Sequence, residues 1–193
     1  MNPILKYGLI AAAVGGFLLF TNSDDSNDID LNAALDVTVD TLYAVNEQNV
    51  APQEPSDEEQ FNMLVDFANQ LETNYNRKEP ALYAGQIGVN VQQDASLLAY
   101  GDTDLSGSFT EGEDVLFLIE IDGENSRVIA TSDSGVNDHH FSGTGLLAGY
   151  LIGSMLSRQG KFGNPKGVAG KQSSAAKQAA KSRAGSGSHS KGK

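Results

Sequence analysis

Residues 97–131 read LLAYGDTDLSGSFTEGEDVLFLIEIDGENSRVIAT. Leu97 to Tyr100 and Val115 to Ile121 are short apolar runs of strand length, and Arg127 to Thr131 closes the stretch with β-branched content. Asp122, Gly123, Glu124 and Asn125 form the turn signal between the last two runs. Upstream, Tyr83, Gly85, Ile87, Val89 and Val91 alternate with period two, and Gln93 to Ser96 turns the chain back. The pattern predicts a β-meander of four short strands.

One helix is expected to cover a face of that meander. Ser56, Asp57, Glu58 and Glu59 make a capping box, in which the serine oxygen and the Glu59 carboxylate satisfy the first free amides. Phe61, Leu64, Val65, Ala68, Leu71 and Tyr75 then fall on one stripe at helical spacing. Acids crowd the first turn, Arg77 and Lys78 sit at the end that favours cations, and Pro80 is the stop. Fold class is therefore α+β. Residues 24–56 read as an acidic spacer in which Leu35, Val37, Val39, Tyr43 and Val45 alternate like a strand, while Leu31, Leu35, Val39 and Leu42 also fit a helix. The β-branched cluster at Val37, Thr38, Val39 and Thr41 favours the strand.

The loop between the second and third strands carries the chemistry. Counted from Asp102, oxygen side chains fall at positions 1, 3, 5, 9 and 12, with Gly107 at position 6. Those twelve residues resemble an EF-hand-type calcium loop. Ca²⁺ takes six to eight hard oxygens, so short side chains turn inward, glycine makes the sharp bend, and a terminal glutamate can bind through both oxygens. The resemblance implies Asp102, Asp104, Ser106, the Ser108 carbonyl, Thr110 and Glu113 as ligands. Leu105, Phe109 and Asp114 depart from the EF-hand pattern. With strand-like sequence following, the loop looks more like those of secreted bacterial β-domains than half of a helix-loop-helix pair. A lone loop with three carboxylates is expected to be weak, with a dissociation constant of about 10⁻⁴–10⁻³ M.

Charge divides the 193 residues into zones. All 25 acids lie between Asp24 and Asp138, giving residues 21–157 a charge of −22, whereas residues 158–193 carry +9 with no acid. Tyr7 to Ser23 is uncharged, follows Lys6, and is followed at once by Asp24 and Asp25. Residues 1–23 thus read as a membrane-targeting segment that resembles a secretory signal. Thr21-Asn22-Ser23 is a poor cleavage site, which favours an uncleaved anchor. A second uncharged run, FSGTGLLAGYLIGSMLS at 141–157, spaces Gly145, Gly149 and Gly153 four apart, as Gly8, Ala12 and Gly16 are in the first. Such stripes let helix backbones approach closely in lipid, so self-association through these glycines and a second span are expected, with packing on the acidic domain as the alternative. Arg158, Lys161 and Lys166 follow the second run and would place both termini in the cytoplasm.

The tail, 158–193, is rich in Gly, Ser, Ala and Lys and is expected to be disordered alone. Arg158, Lys161, Lys166, Lys171, Lys177, Lys181 and Arg183 suit anionic lipid or nucleic-acid phosphates. Adjacent His139 and His140 read as part of a hydrated linker. Absence of cysteine excludes disulfide scaffolds and thiolate metal sites, and no nucleophile elbow, HExxH or P-loop is present. The division is then 1–23 anchor, 24–56 spacer, 57–133 acidic α+β domain, 134–157 linker and glycine-zipper helix, and 158–193 basic tail.

From Leu97 through Gln159 the chain loosely resembles uncharacterised bacterial envelope proteins with glycine-zipper segments, a resemblance that implies no activity. The reading is a membrane-anchored, non-enzymatic envelope or virion assembly protein with a weak calcium-binding external domain, facing a bacterial periplasm or lying in a virion membrane. The alternative is a tether that holds nucleic acid or anionic lipid through its tail. No small-molecule substrate is indicated.

Overall fold

A computed structural model describes residues 29–48, 56–141 and 149–173, together with Lys177. The meander is present and longer than expected. Strands β1 (Ile87–Val91), β2 (Leu97–Gly101), β3 (Val115–Asp122), β4 (Arg127–Thr131) and β5 (Val136–His140) follow one another in a five-stranded sheet ordered as in the chain. All neighbours are antiparallel. Residues 136–140, expected in a linker, instead pair along β4 from Thr131 opposite Val136 to Arg127 opposite His140. The sequence VNDHH gives no hydrophobic signal because this is an edge strand whose side chains are half-buried or exposed.

Two helices pack on the first face of the sheet, where one was expected. Helix α2 (Asp57–Arg77) is the one its capping box predicts: Glu59 N–H donates to Ser56 Oγ at 3.3 Å, and Ser56 N–H to Glu59 Oε2 at 2.8 Å. It buries Leu64, Val65, Phe67, Ala68, Leu71 and Tyr75, and the Tyr75 ring meets Phe117 of β3 edge-on at 5.4 Å. Helix α1 (Leu31–Gln48) replaces the strand expected at 35–45. Asp30 Oδ1 accepts from the Asn32 and Ala33 amides and starts it. The two threonines that favoured a strand bond back one turn, Thr38 to Ala34 O at 2.8 Å and Thr41 to Val37 O at 2.7 Å. Thr38 also meets the Tyr75 hydroxyl at 2.6 Å, so both helices share a satisfied buried polar contact.

Helix α3 (Tyr150–Phe162) holds Gly153 of the expected glycine stripe. It begins at Tyr150 with Gly149 as its extended N-cap, and the Gly149 carbonyl accepts from Gly153 N–H at 3.0 Å, one turn on. A Cβ on Gly153 would meet open space. Leu151, Ile152 and Met155 are buried in the same core as the sheet and α1. Arg158 lies over the Phe61 ring at 5.1 Å and donates to the Asp57 carbonyl at 2.9 Å, tying α3 to the first turn of α2. Residues 150–157 therefore belong to the domain. Among the described residues no helix is long and apolar enough to cross a membrane. Gly8, Ala12, Gly16 and Gly145 lie outside the described residues, as does the expected N-terminal membrane helix.

The tail is also structured at its start. Short helix α4 (Pro165–Ala169) is capped by Asn164, whose Oδ1 accepts from Gly167 N–H at 3.1 Å. Val168 and Ser173 are buried. Residues 163–173 form a strap over the second face of the sheet.

Candidate cation site

The loop from Asp102 to Glu113 joins β2 to β3, so two neighbouring strands of one sheet hold both of its ends. Local chemistry shapes it. Asp102, only 5% exposed, accepts from Ser106 N–H through Oδ1 and from Gly107 N–H through Oδ2, both at 3.0 Å. Asp104 Oδ1 shares the Ser106 amide at 3.0 Å. Gly107, at position 6 of the loop, has φ +67°, a left-handed conformation that favours glycine. Glu113 reaches back across the loop and accepts from Thr103 N–H at 3.2 Å and Thr110 N–H at 2.7 Å.

These bonds bring three carboxylates together. Oxygens of Asp102, Asp104 and Glu113 lie within 4.8 Å of one another. Ser106 Oγ donates to the Ser108 carbonyl at 3.0 Å, so two more of the expected ligand oxygens are neighbours. Thr110 is exposed and joins through its backbone amide. The donors are all hard oxygens, which suits Ca²⁺ or Mg²⁺ and not a thiolate- or imidazole-seeking metal. Hydrogen bonds from Ser106 hold the Asp104 carboxyl below its ordinary value.

Two features of the surroundings escaped the sequence reading. In paired EF-hands, two loops support each other; here Phe109, at position 8, turns back and meets Tyr100 of β2 edge-on at 5.3 Å. The sheet braces the lone loop. Burial pushes the Tyr100 phenol well above its ordinary value, and the charges of Asp102 and Glu113 push it further. Burial likewise raises Glu72 on α2, with Asp102 adding to the effect, although the Val89 amide opposes it. A cation in the loop would relieve this concentration of negative charge.

Several of the basic residues expected to meet polyanions face groups within the domain. Lys171 pairs with Glu120, whose side chain is 10% exposed. Lys161 stands 3.7 Å from Asp57, and Arg158 is engaged with Phe61 and the Asp57 carbonyl. Lys166 and Lys177 are exposed, while Lys181 and Arg183 lie outside the described residues. The strap is held by Arg127, itself 6% exposed. Its guanidinium binds Asp122 at 2.7 Å and Asp138 at 2.6 Å, and donates to the carbonyls of Ala169 and Lys171. Glu120 and Asp122, interleaved with apolar residues in β3, were the legible sign that the second sheet face carries buried charge. His140 Nε2 lies 3.4 Å from Asp138, and His139, the next residue of the strand, points to the opposite side.

Compared with family models, curated proteins and solved structures, the chain matches none.

Proposed function

We propose that this chain is a calcium-binding, non-enzymatic domain held at a membrane by residues 1–23, with a structural or assembly role in a cell envelope or virion. The convergence of Asp102, Asp104 and Glu113 within 4.8 Å supports the calcium reading most directly. The positions of these residues match the loop pattern, and the left-handed Gly107 stands where that pattern needs its bend. Membrane attachment rests on the uncharged run from Tyr7 to Ser23. With α3 packed in the core, the reading keeps one anchor, not two spans. A polyanion-binding tail has less support, because Arg158, Lys161 and Lys171 already face groups within the domain.

The test is a thermal melt of the full chain with Ca²⁺ or EGTA. Ligand bound only by the folded state adds RT ln(1 + [L]/Kd), about 1.4 kcal/mol at ten times Kd. The midpoint is expected to rise by several degrees, and Glu113→Gln to lose most of that rise. The same midpoint in millimolar Ca²⁺ and in EGTA would reduce the loop to an acidic turn.

A further inference from the structure

The sheet has two edges, and the fold treats them differently. Bonds from Gln92 N–H to Ser96 O and from Asp102 N–H to Gln86 O set the register that turns the even-numbered residues of β1 toward β2. Ile87 and Val89 therefore aim their peptide groups outward, where α2 meets them. Asn76 donates to the Ile87 carbonyl at 2.8 Å and accepts from its N–H at 2.9 Å, and Glu72 accepts from Val89 N–H at 3.4 Å. Side chains thus close the β1 edge.

At β5, among the described residues, the same geometry leaves the edge open. Bonds from Phe141 N–H to Ser126 O and from Ser132 N–H to Gly135 O turn the odd-numbered residues toward β4. Val136, Asp138 and His140 direct their N–H and C=O groups away from the sheet, and among the described residues no hydrogen bond reaches those groups. The strand carries no proline, lysine or bulge to blunt the edge, and its one carboxylate, Asp138, is paired with Arg127.

We propose that the β5 edge pairs antiparallel with β5 of a second copy, about a two-fold axis at His139, joining the two sheets into one. A self-paired edge is the isologous contact that a two-fold dimer requires. Charge selects the register. An axis at Asp138 sets two aspartates directly opposite, which is destabilising. An axis at His139 sets Asp138 of each copy opposite His140 of the other, with their outward peptide groups bonded across the interface. His139 then faces its own equivalent at a non-hydrogen-bonded position, where side chains come closest. The calcium-type loop, between β2 and β3, lies away from this edge, so pairing leaves it open.

The natural absence of cysteine makes the register directly readable. In the full chain, kept in neutral detergent, His139→Cys is expected to give a disulfide-linked dimer under mild oxidation, because directly opposed Cβ atoms lie near disulfide reach. Glu124→Cys, in the exposed β3–β4 turn, reports random collision and is expected to stay monomeric. His140→Pro removes an outward N–H without touching the ladder to β4, so the fold survives while light scattering shows loss of the dimer. Monomeric mass at all concentrations for the unaltered chain, with His139→Cys linking no more than Glu124→Cys, would overturn the proposal; the edge is then bare or covered by the chain's own remaining residues. A dimer that persists in His140→Pro, or that links best through Asp138→Cys, would overturn it equally, since another surface or register is then in use.

Discussion

Replacing Arg127 by methionine tests how the strap is held. The guanidinium is almost wholly buried and makes two short ion pairs, with Asp122 at 2.7 Å and Asp138 at 2.6 Å. The side chains of those carboxylates are only 2% and 11% exposed, so water cannot replace the lost partner. Methionine conserves much of the aliphatic stem but leaves two buried negative charges facing each other across β4. Breaking a buried pair by removing one partner costs about 3–5 kcal/mol. The carbonyls of Ala169 and Lys171 also lose a donor, which detaches the strap as well as destabilising the sheet. Urea unfolding followed by circular dichroism is expected to show a fall of about 3–5 kcal/mol, and the melting midpoint to drop by about 10 °C or more. Trypsin is expected to cut after Lys166 and Lys171 at urea concentrations where the native strap resists. Arg127→Lys should recover little, because an ammonium cannot fork between two carboxylates and two carbonyls. A midpoint for Arg127→Met within about 2 °C of the native one, with strap cleavage unchanged, would show that Arg127 neither anchors the strap nor offsets the two carboxylates.

Acid should undo the same cluster. Asp122 and Asp138 both sit below the ordinary carboxylate value despite burial, held there by Arg127 and, for Asp122, by Asn125. A carboxyl whose folded pKa is depressed stabilises the fold above its unfolded value of 3.8 and loses that contribution as pH falls through the folded one. Stability measured by urea titration is expected to hold from neutrality to about pH 5 and then fall below pH 4, and the fall should shrink in Asp138→Asn. Magnesium is expected to raise the melting midpoint less than calcium at equal concentration, because its octahedral shell dehydrates reluctantly; equal shifts would point to general charge screening. Gly88→Ala should weaken calcium binding in calorimetry without touching a ligand. A Cβ there would stand 2.3 Å from the buried Tyr100 ring, forcing it away from Phe109 and the loop, and unaltered affinity would show that the brace is unimportant.

The elements legible in the sequence are those governed by neighbours along the chain. The capping box of α2, the alternation in β1, the turn at Asp122 to Asn125 and the spacing from Asp102 to Glu113 each depend on contacts within a few residues. Local chemistry was enough because the groups that satisfy one another there are never more than about a dozen positions apart. Helix α1 defeated the pattern for a physical reason. It is covered on most sides, so Val37, Thr38 and Thr41 are buried beside the helical stripe of Leu31, Leu35, Val39 and Leu42, and the alternation of Leu35, Val37 and Val39 shows as strongly as the helical spacing. Strand β5 failed for the opposite reason: an edge needs backbone pairing from β4 and little apolar burial, so its polar sequence looked like a linker.

Position in three dimensions alone decided where residues 150–157 and the start of the basic tail pack. Hydropathy makes residues 141–157 a candidate span with packing on the domain as the alternative, and Leu151, Ile152 and Met155 bury their apolar surface in the core beside α2 and β3, where it is equally removed from water. The strap carries positive charge without a visible partner in its own stretch of sequence. Its partners are Glu120 on β3 and the Arg127 cluster on β4, more than 40 residues away, and they become partners only when the meander sets them on one face. The α+β class and the spacing that gathers Asp102, Asp104 and Glu113 are legible along the chain. Tertiary structure decided which of the remaining apolar and charged segments would find their complement within the domain, because that depends on surfaces that exist only after the strands have paired.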